Sequence, residues 1–238
     1  MIKGLDIVTE DASRLAEEDP DAFAMLRRVG FGASDSSIIL GVNPFPNGKV
    51  KDLIVQKQTD YVTEDEKRIG TLINVQKGRD LEPIIMSKFE KEYQKETYKP
   101  KAMYRIPDTP LTVNFDGVME LGGINIPVEC KFVSYGGSKY FDASKAINSL
   151  LQADTLKPLG NEVNSIYLNE RAKEAGVPIY YYTQVQQQLL ALDAPFGFLA
   201  GLFDKDWKLR VFQIMADPLV QQELLDRAEL YWKEVQHE

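Results

Sequence analysis

The run INIPVECKFV at residues 124–133, entered from LTVNFDGVMEL through Gly122-Gly123, constrains this chain more than any other stretch. A Gly-Gly dipeptide between two runs of this kind favours a tight hairpin turn, so an antiparallel strand pair is expected. Side chains alternate along a strand. Ile126, Val128, Cys130 and Phe132 therefore share one face, and Pro127, Glu129, Lys131 and Val133 share the other. The first face is wholly apolar. The second places a carboxylate and an ammonium two residues apart in a segment otherwise fit for a core, and burying such charges is costly unless partners meet them.

The rest of the chain reads as helices around this β unit. Residues 11–29 are helical with an interruption near Pro20, and the GFGAS turn leads into a helix with Ser34 as N-cap and Gly41 as its stop. VNPFPNGK is loop, residues 52–58 form a short helix, and TDYVTEDEK is a solvated connector. The segment TLINVQKGRDLEPIIMSKFEKEYQKE is helical in one of two ways: capped by Asp80 with Pro83 in the first turn, or as one longer helix kinked at Pro83. AMYRI and LTVNFDGVMEL are strands. ASKAINSLLQAD and SIYLNERAKEAG are helices separated by the loop TLKPLGNEV. In PIYYYTQVQQQLLALDAP, Tyr182, Val185, Leu189 and Leu192 form an apolar helical stripe, with Tyr181, Gln184 and Gln188 on a polar one. Strands FGFLAGLF and LRVFQIM flank the DKDWK turn, and an amphipathic helix follows. A chain of 238 residues with 44% hydrophobic content can bury a sizeable core, and one domain over 1–238 is expected.

Several chemistries are excluded by inventory. Cys130 is the single cysteine, which rules out an internal disulfide and cysteine-based zinc or iron–sulfur sites. His237 is the single histidine and stands beside the last residue, a poor place for a catalytic base. Chemistry falls to carboxylates, lysine, tyrosine and glutamine. The net charge of −8 argues against non-specific coating of nucleic acid, although a carboxylate site holding divalent cations would restore positive potential locally. The sequence has no apolar run long enough for a bilayer and no secretory signal pattern near Met1, so a cytoplasmic location and no membrane partner are expected.

Asp116 on the preceding strand could lie beside Glu129 across the antiparallel pair. Two carboxylates that close repel unless they share a cation or a proton. A hard divalent ion such as Mg²⁺ takes such oxygen ligands, and the Cys130 carbonyl is well placed to be another. Lys131 could polarise or deprotonate a water, or hold a phosphate oxygen. Glu82 in GRDLEP could reach the same cation from its helix. Each signal has a plainer reading: E-x-K on a strand is usually a surface pair, Asp-Gly a turn, and Glu82 a first-turn glutamate favoured by the helix dipole. The ordered combination, G-x-x-x-E, then D-G, then E-x-K, then Y-x-x-Q, is what shifts the balance.

That order resembles the PD-(D/E)XK nuclease superfamily, in particular the phage recombination exonucleases similar to lambda exonuclease and the YqaJ-type viral recombinases. RRVGFGASD, KGRDLEP, VNFDGVMEL, PVECKF and YYTQVQQQL carry the likeness. It implies an α/β (α+β) restriction-endonuclease-like core, a central mixed β-sheet flanked by helices. It further implies that Asp116, Glu129 and the Cys130 carbonyl ligate Mg²⁺, with Mn²⁺ as a substitute, and that Glu82 supports them directly or through water. Lys131 would activate the water, while Gln184 and Tyr181 would orient substrate or the lysine. Ser34 and an upstream arginine, Arg27 or Arg28, would bind a terminal 5′-phosphate. The implied activity is 5′–3′ digestion of linear duplex DNA by a homo-oligomer, a trimeric ring, working with a single-strand annealing protein. A structure-specific or restriction-like endonuclease and a non-catalytic DNA-binding protein of the same fold are the competing readings.

Overall fold

A computed structural model describes residues 2, 4–46, 48–150, 159–160 and 162–237. Strand β1 (Asp6–Thr9) leads into α1 (Ala12–Glu18) and α2 (Pro20–Leu26), which Asp11 and Asp19 cap with their carboxylates. The break expected near Pro20 is present because Pro20 opens α2. A 3₁₀ turn at Arg27–Val29 precedes β2 (Phe31–Gly32). The expected Ser34 N-cap is not formed. Ser34 lies within a 3₁₀ turn, Ala33–Asp35, and the Asp35 carboxylate accepts the Gly32 N–H at 3.0 Å before α3 (Ser36–Ile39) begins.

Helix α4 (Val50–Gln58) stands where a short helix is expected. The expected connector at residues 59–67 instead contains the start of α5 (Glu64–Gly70). Thr63 and Glu66 form a reciprocal capping box there, a signal that the charge density of TEDEK obscured. Helix α6 (Ile73–Tyr93) is continuous through Pro83, so Asp80 is interior and not a cap; the longer alternative is the one realised. Pro83 has no N–H to give to the carbonyl one turn before it.

The β-structure divides into two sheets. β3 (Met103–Arg105) pairs antiparallel with β1 and with β4 (Leu111–Val113), which in turn pairs parallel with β2. LTVNFDGVMEL is therefore not one strand: it leaves the first sheet after Val113 and joins the second as β5 (Gly117–Leu121). β5 and β6 (Ile124–Val133) form the expected hairpin across Gly122 and Gly123, both at positive φ. The chain returns through α7 (Ser165–Ala175) and α8 (Ile179–Leu192) to β7 (Phe196–Phe203), parallel to β6, then to β8 (Lys208–Met215), antiparallel to β7. α9 (Pro218–Gln236) follows, capped by Asp217. The architecture is mixed α/β, as expected. The helix expected at ASKAINSLLQAD is a correction: only a 3₁₀ turn forms at Ala143–Lys145, 146–150 is not helical, and 151–154 lies outside the described residues, as does most of the TLKPLGNEV loop.

The second sheet is the structural centre. Phe132 of β6 faces the α6 side, where Lys77 lies 5.8 Å from its ring, whereas Glu129 faces α8. The two helices thus cover opposite faces, and Ile126, Val128, Phe198, Phe89 and Ile85 fill the α6 side of the core. Gly117 permits the close approach of α6, since a Cβ there would sit 2.2 Å from Met86 Cε.

Candidate active site

The β5–β6 register pairs Gly117 with Val128, so one residue further it sets Asp116 opposite Glu129. Asp116 Oδ2 accepts the Cys130 N–H at 2.9 Å. The Glu129 side chain is only 3% exposed, yet it has company on every side. Lys131 Nζ and Gln184 Nε2, the latter at 2.5 Å, donate to Oε1, and Gln188 Nε2 donates to Oε2 at 2.6 Å. Gln184 and Gln188 are one helical turn apart on α8, which is why one face of that helix can clamp both carboxylate oxygens. The Lys131 ammonium also lies 5.2 Å from the centre of the Tyr181 ring, a cation–π contact. Asp116, Glu129, Lys131, Tyr181 and Gln184 are thus brought together as the sequence suggested. Gln188 completes the set; its i+4 spacing from Gln184 was the available signal.

Charge in this cleft is unbalanced. Burial and the Glu129 carboxylate push Asp116 well above the usual carboxylate range. Burial alone would discharge Lys131, but Glu129 and Asp116 beside it outweigh that and raise its pKa. Burial, with the same carboxylates, pushes the Cys130 thiol up, so this cysteine is a core residue and not a nucleophile. Glu82 reaches the electrostatic surroundings of Asp116 from α6, but its carboxylate is engaged by Lys99 Nζ. Lys99, which sequence reasoning missed, thus occupies the acid expected to assist a cation. Among the described residues no three carboxylate, imidazole or thiolate groups converge as a metal cage.

A second cluster forms around the GFGASD turn. Arg27 NH2 donates to Ser34 Oγ at 2.8 Å, and its side chain is 42% exposed. Arg28 is 7% exposed and uses its guanidinium internally, on the carbonyls of Ala24, Thr59 and Tyr61 and on Glu66. The two neighbouring arginines therefore differ in kind: one is available to a ligand, the other braces the α2–α5 region. Beneath Ser34, Asp35 pairs with Lys57 at 2.9 Å, and Lys57 also donates to the Arg27 carbonyl at 2.9 Å. Helix α8 ties this cluster to the cleft. Gln187 Nε2 donates to the carbonyls of Phe31 and Thr112, and Ser36 Oγ donates to Gln187 Oε1 at 2.7 Å.

A family model described as the YqaJ-like viral recombinase domain matches residues 22–194, most of the chain, from within α2 through α8. The chain belongs to that family. The matched span contains both clusters. No curated relative matches by sequence. In three dimensions the chain is similar to an alkaline exonuclease from Laribacter hongkongensis, with TM-score 0.58 and 14% identity over 90% of this chain and 91% of that one. The same enzyme in complex with dAMP gives TM-score 0.57 at 14% identity, covering 89% and 90%. A phage-related exonuclease from Haemophilus somnus 129PT gives 0.52 at 14% identity, covering 86% and 93%. At these identities the likeness establishes the fold.

Proposed function

We propose that this chain is a divalent-metal-dependent exonuclease that enters duplex DNA at an end carrying a 5′-phosphate and hydrolyses one strand in the 5′–3′ direction, leaving single strand for phage-type recombination. The observation that carries the reading is that one part-buried cleft gathers Asp116, Glu129, Lys131 and Gln184, while a solvent-accessible Arg27–Ser34 pair is tied to it through the same helix. The family, and the exonucleases that share the fold, support the same reading.

The donor set suits a hard divalent cation. Asp116, Glu129 and the Cys130 carbonyl are oxygen ligands, and the upward push on Asp116 marks a carboxylate pair in need of positive charge. Mg²⁺, or Mn²⁺ in its place, would be held by these three, with Glu82 assisting through water when Lys99 releases it. Such an ion would supply a more acidic water and positive charge beside the scissile phosphate. In the reaction a water oxygen bonds to phosphorus as the bond from phosphorus to the ester oxygen breaks, and the proton that the water loses passes through solvent to the departing oxygen. Lys131, kept charged by its carboxylate neighbours, donates a hydrogen bond to a phosphate oxygen as negative charge develops. Gln184 and Gln188 fix the Glu129 carboxylate, and Tyr181 limits where Lys131 can swing. Arg27 and Ser34 grip the terminal phosphate, with Arg28 as the brace behind them. The likeness to the phage exonucleases extends the proposal to a single domain assembled as a trimeric ring, with a single-strand annealing partner.

Digestion of end-labelled linear duplex, with and without a 5′-phosphate, beside a covalently closed circle tests the proposal. Linear DNA with 5′-phosphate should be shortened from the 5′ end and the circle should survive. A circle cut as fast as the linear form would favour the restriction-like endonuclease, and intact linear DNA would favour a non-catalytic binding protein.

A further inference from the structure

The loop between α3 and α4 takes no part in the clusters above. Phe45 stands at its tip between Pro44 and Pro46, each of which has a fixed φ. The Phe45 N–H donates to Asn43 Oδ1 at 2.8 Å, and its carbonyl accepts the Gly48 N–H at 3.0 Å. A phenylalanine held this firmly is expected to be buried, yet it is 58% exposed. Its ring lies 5.4 Å from that of Tyr180 in the first turn of α8. Tyr180 meets Tyr181 edge-on at 4.3 Å, and Tyr181 carries the Lys131 ammonium on its face. Tyr140, also exposed, lies within electrostatic reach of Tyr180 and has the Lys139 ammonium 4.9 Å from its ring centre. A row of aromatic rings, Phe45, Tyr180 and Tyr181, thus runs from the loop to the Lys131 ammonium.

We propose that Phe45 and Tyr180 form a stacking shelf for unpaired nucleobases of the DNA strand presented to Lys131. The proposal rests on the nuclease reading and names how that site accommodates bases. A strand entering the cleft from a duplex end must leave its partner, and each freed base loses its neighbours in the stack. Aromatic faces replace that stacking without regard to sequence, because every base has a π-face, while ammonium groups follow the backbone. An enzyme that digests any sequence has little use for base-edge readout. Placement agrees: α8 meets Phe45 through Tyr180, Glu129 through Gln184, and the Arg27–Ser34 turn region through Gln187. From Tyr180 to Gln187 the helix advances about 10 Å, the scale of one or two nucleotides.

The test is fluorescence anisotropy with 5′-phosphorylated single-stranded oligonucleotides, Ca²⁺ replacing Mg²⁺, whose first two nucleotides are either normal or abasic. Phe45→Ala and Tyr180→Ala should each weaken binding of the normal strand roughly tenfold, and Phe45→Trp should retain it. On the abasic strand the same substitutions should change little, a result that a merely structural role would not produce. Equal affinity of Phe45→Ala and wild type for the normal strand would overturn the shelf, and so would an equal loss on both strands. A Phe45→Ala defect confined to binding a protein partner would reassign the surface and overturn it as well. Failure of the nuclease reading looks different: wild-type protein would then leave linear duplex intact with Mg²⁺, whatever its affinity for the two oligonucleotides.

Discussion

Replacing Lys57 by methionine removes the ammonium beneath the Arg27–Ser34 pair while keeping most of the side-chain volume. Lys57 and Asp35 are 3% and 10% exposed, so the carboxylate left behind has little water to turn to. Breaking a buried ion pair by removing one partner costs about 3–5 kcal/mol. Here two groups soften the loss: the Gly32 N–H still reaches Asp35 at 3.0 Å, and the Arg27 guanidinium, now 3.9 Å away, can turn toward it. We expect a net cost of roughly 2–4 kcal/mol, equivalent to about 5–15 °C in melting temperature for a chain of this size. Urea titration of Lys57→Met, Asp35→Asn and the double variant measures it. The double variant should recover much of the loss, because the uncompensated carboxylate is then gone. Arg27, drawn toward Asp35, should also leave Ser34, so the single variant loses preference for 5′-phosphorylated ends. An unchanged urea midpoint for Lys57→Met, or a double variant as unstable as the sum of the two single changes, would refute the reasoning.

Other substitutions separate roles that the geometry separates. Arg28→Ala should destabilise by about 2–4 kcal/mol, since its buried guanidinium serves three carbonyls and Glu66, whereas Arg27→Ala should unfold within about 1 kcal/mol of wild type and lose discrimination for phosphorylated ends; urea melts and end-preference assays read the two effects. Asp116→Asn should abolish cleavage yet raise the melting temperature, because burial and the neighbouring Glu129 carboxylate both penalise charge on Asp116. Glu66 is partly buried, which opposes its charge, but hydrogen bonds from Arg28, Thr63 and Gln56 lower its pKa from 4.5 to about 2. Its contribution is therefore complete above pH 4.5 and is lost as pH falls toward 2; acid titration of stability should show a loss on the order of 2 kcal/mol that Glu66→Gln lacks.

The strand pair and the glutamine helix were legible because their signals are local. Alternation fixed the faces of β6, and a 3.6-residue period fixed those of α8, so Glu129, Lys131 and Gln184 could be placed before any tertiary information. What was not legible depends on partners distant in sequence. LTVNFDGVMEL reads as one strand because nothing in its composition says that Val113 and Gly117 belong to different sheets. The capture of Glu82 by Lys99 joins residues 17 apart, and Gln187 reaches carbonyls 75 and 156 residues away. Arg27 and Arg28 are indistinguishable as letters; their difference arises from the packing of α2 against the Thr59–Glu66 segment. Ser34 resembled a cap because a small hydroxyl ahead of an apolar run is the usual capping signal, and only the Asp35 side chain decided which group would satisfy Gly32.

The central claim, that the Asp116–Glu129–Lys131 cleft hydrolyses DNA from an end, is tested most directly by nucleotide release from 5′-phosphorylated linear duplex with Mg²⁺. Wild-type protein should release nucleotides steadily, and Lys131→Ala and Glu129→Gln, each verified to be folded, should be slower by at least about 100-fold. Release by either folded variant at the wild-type rate would contradict the account.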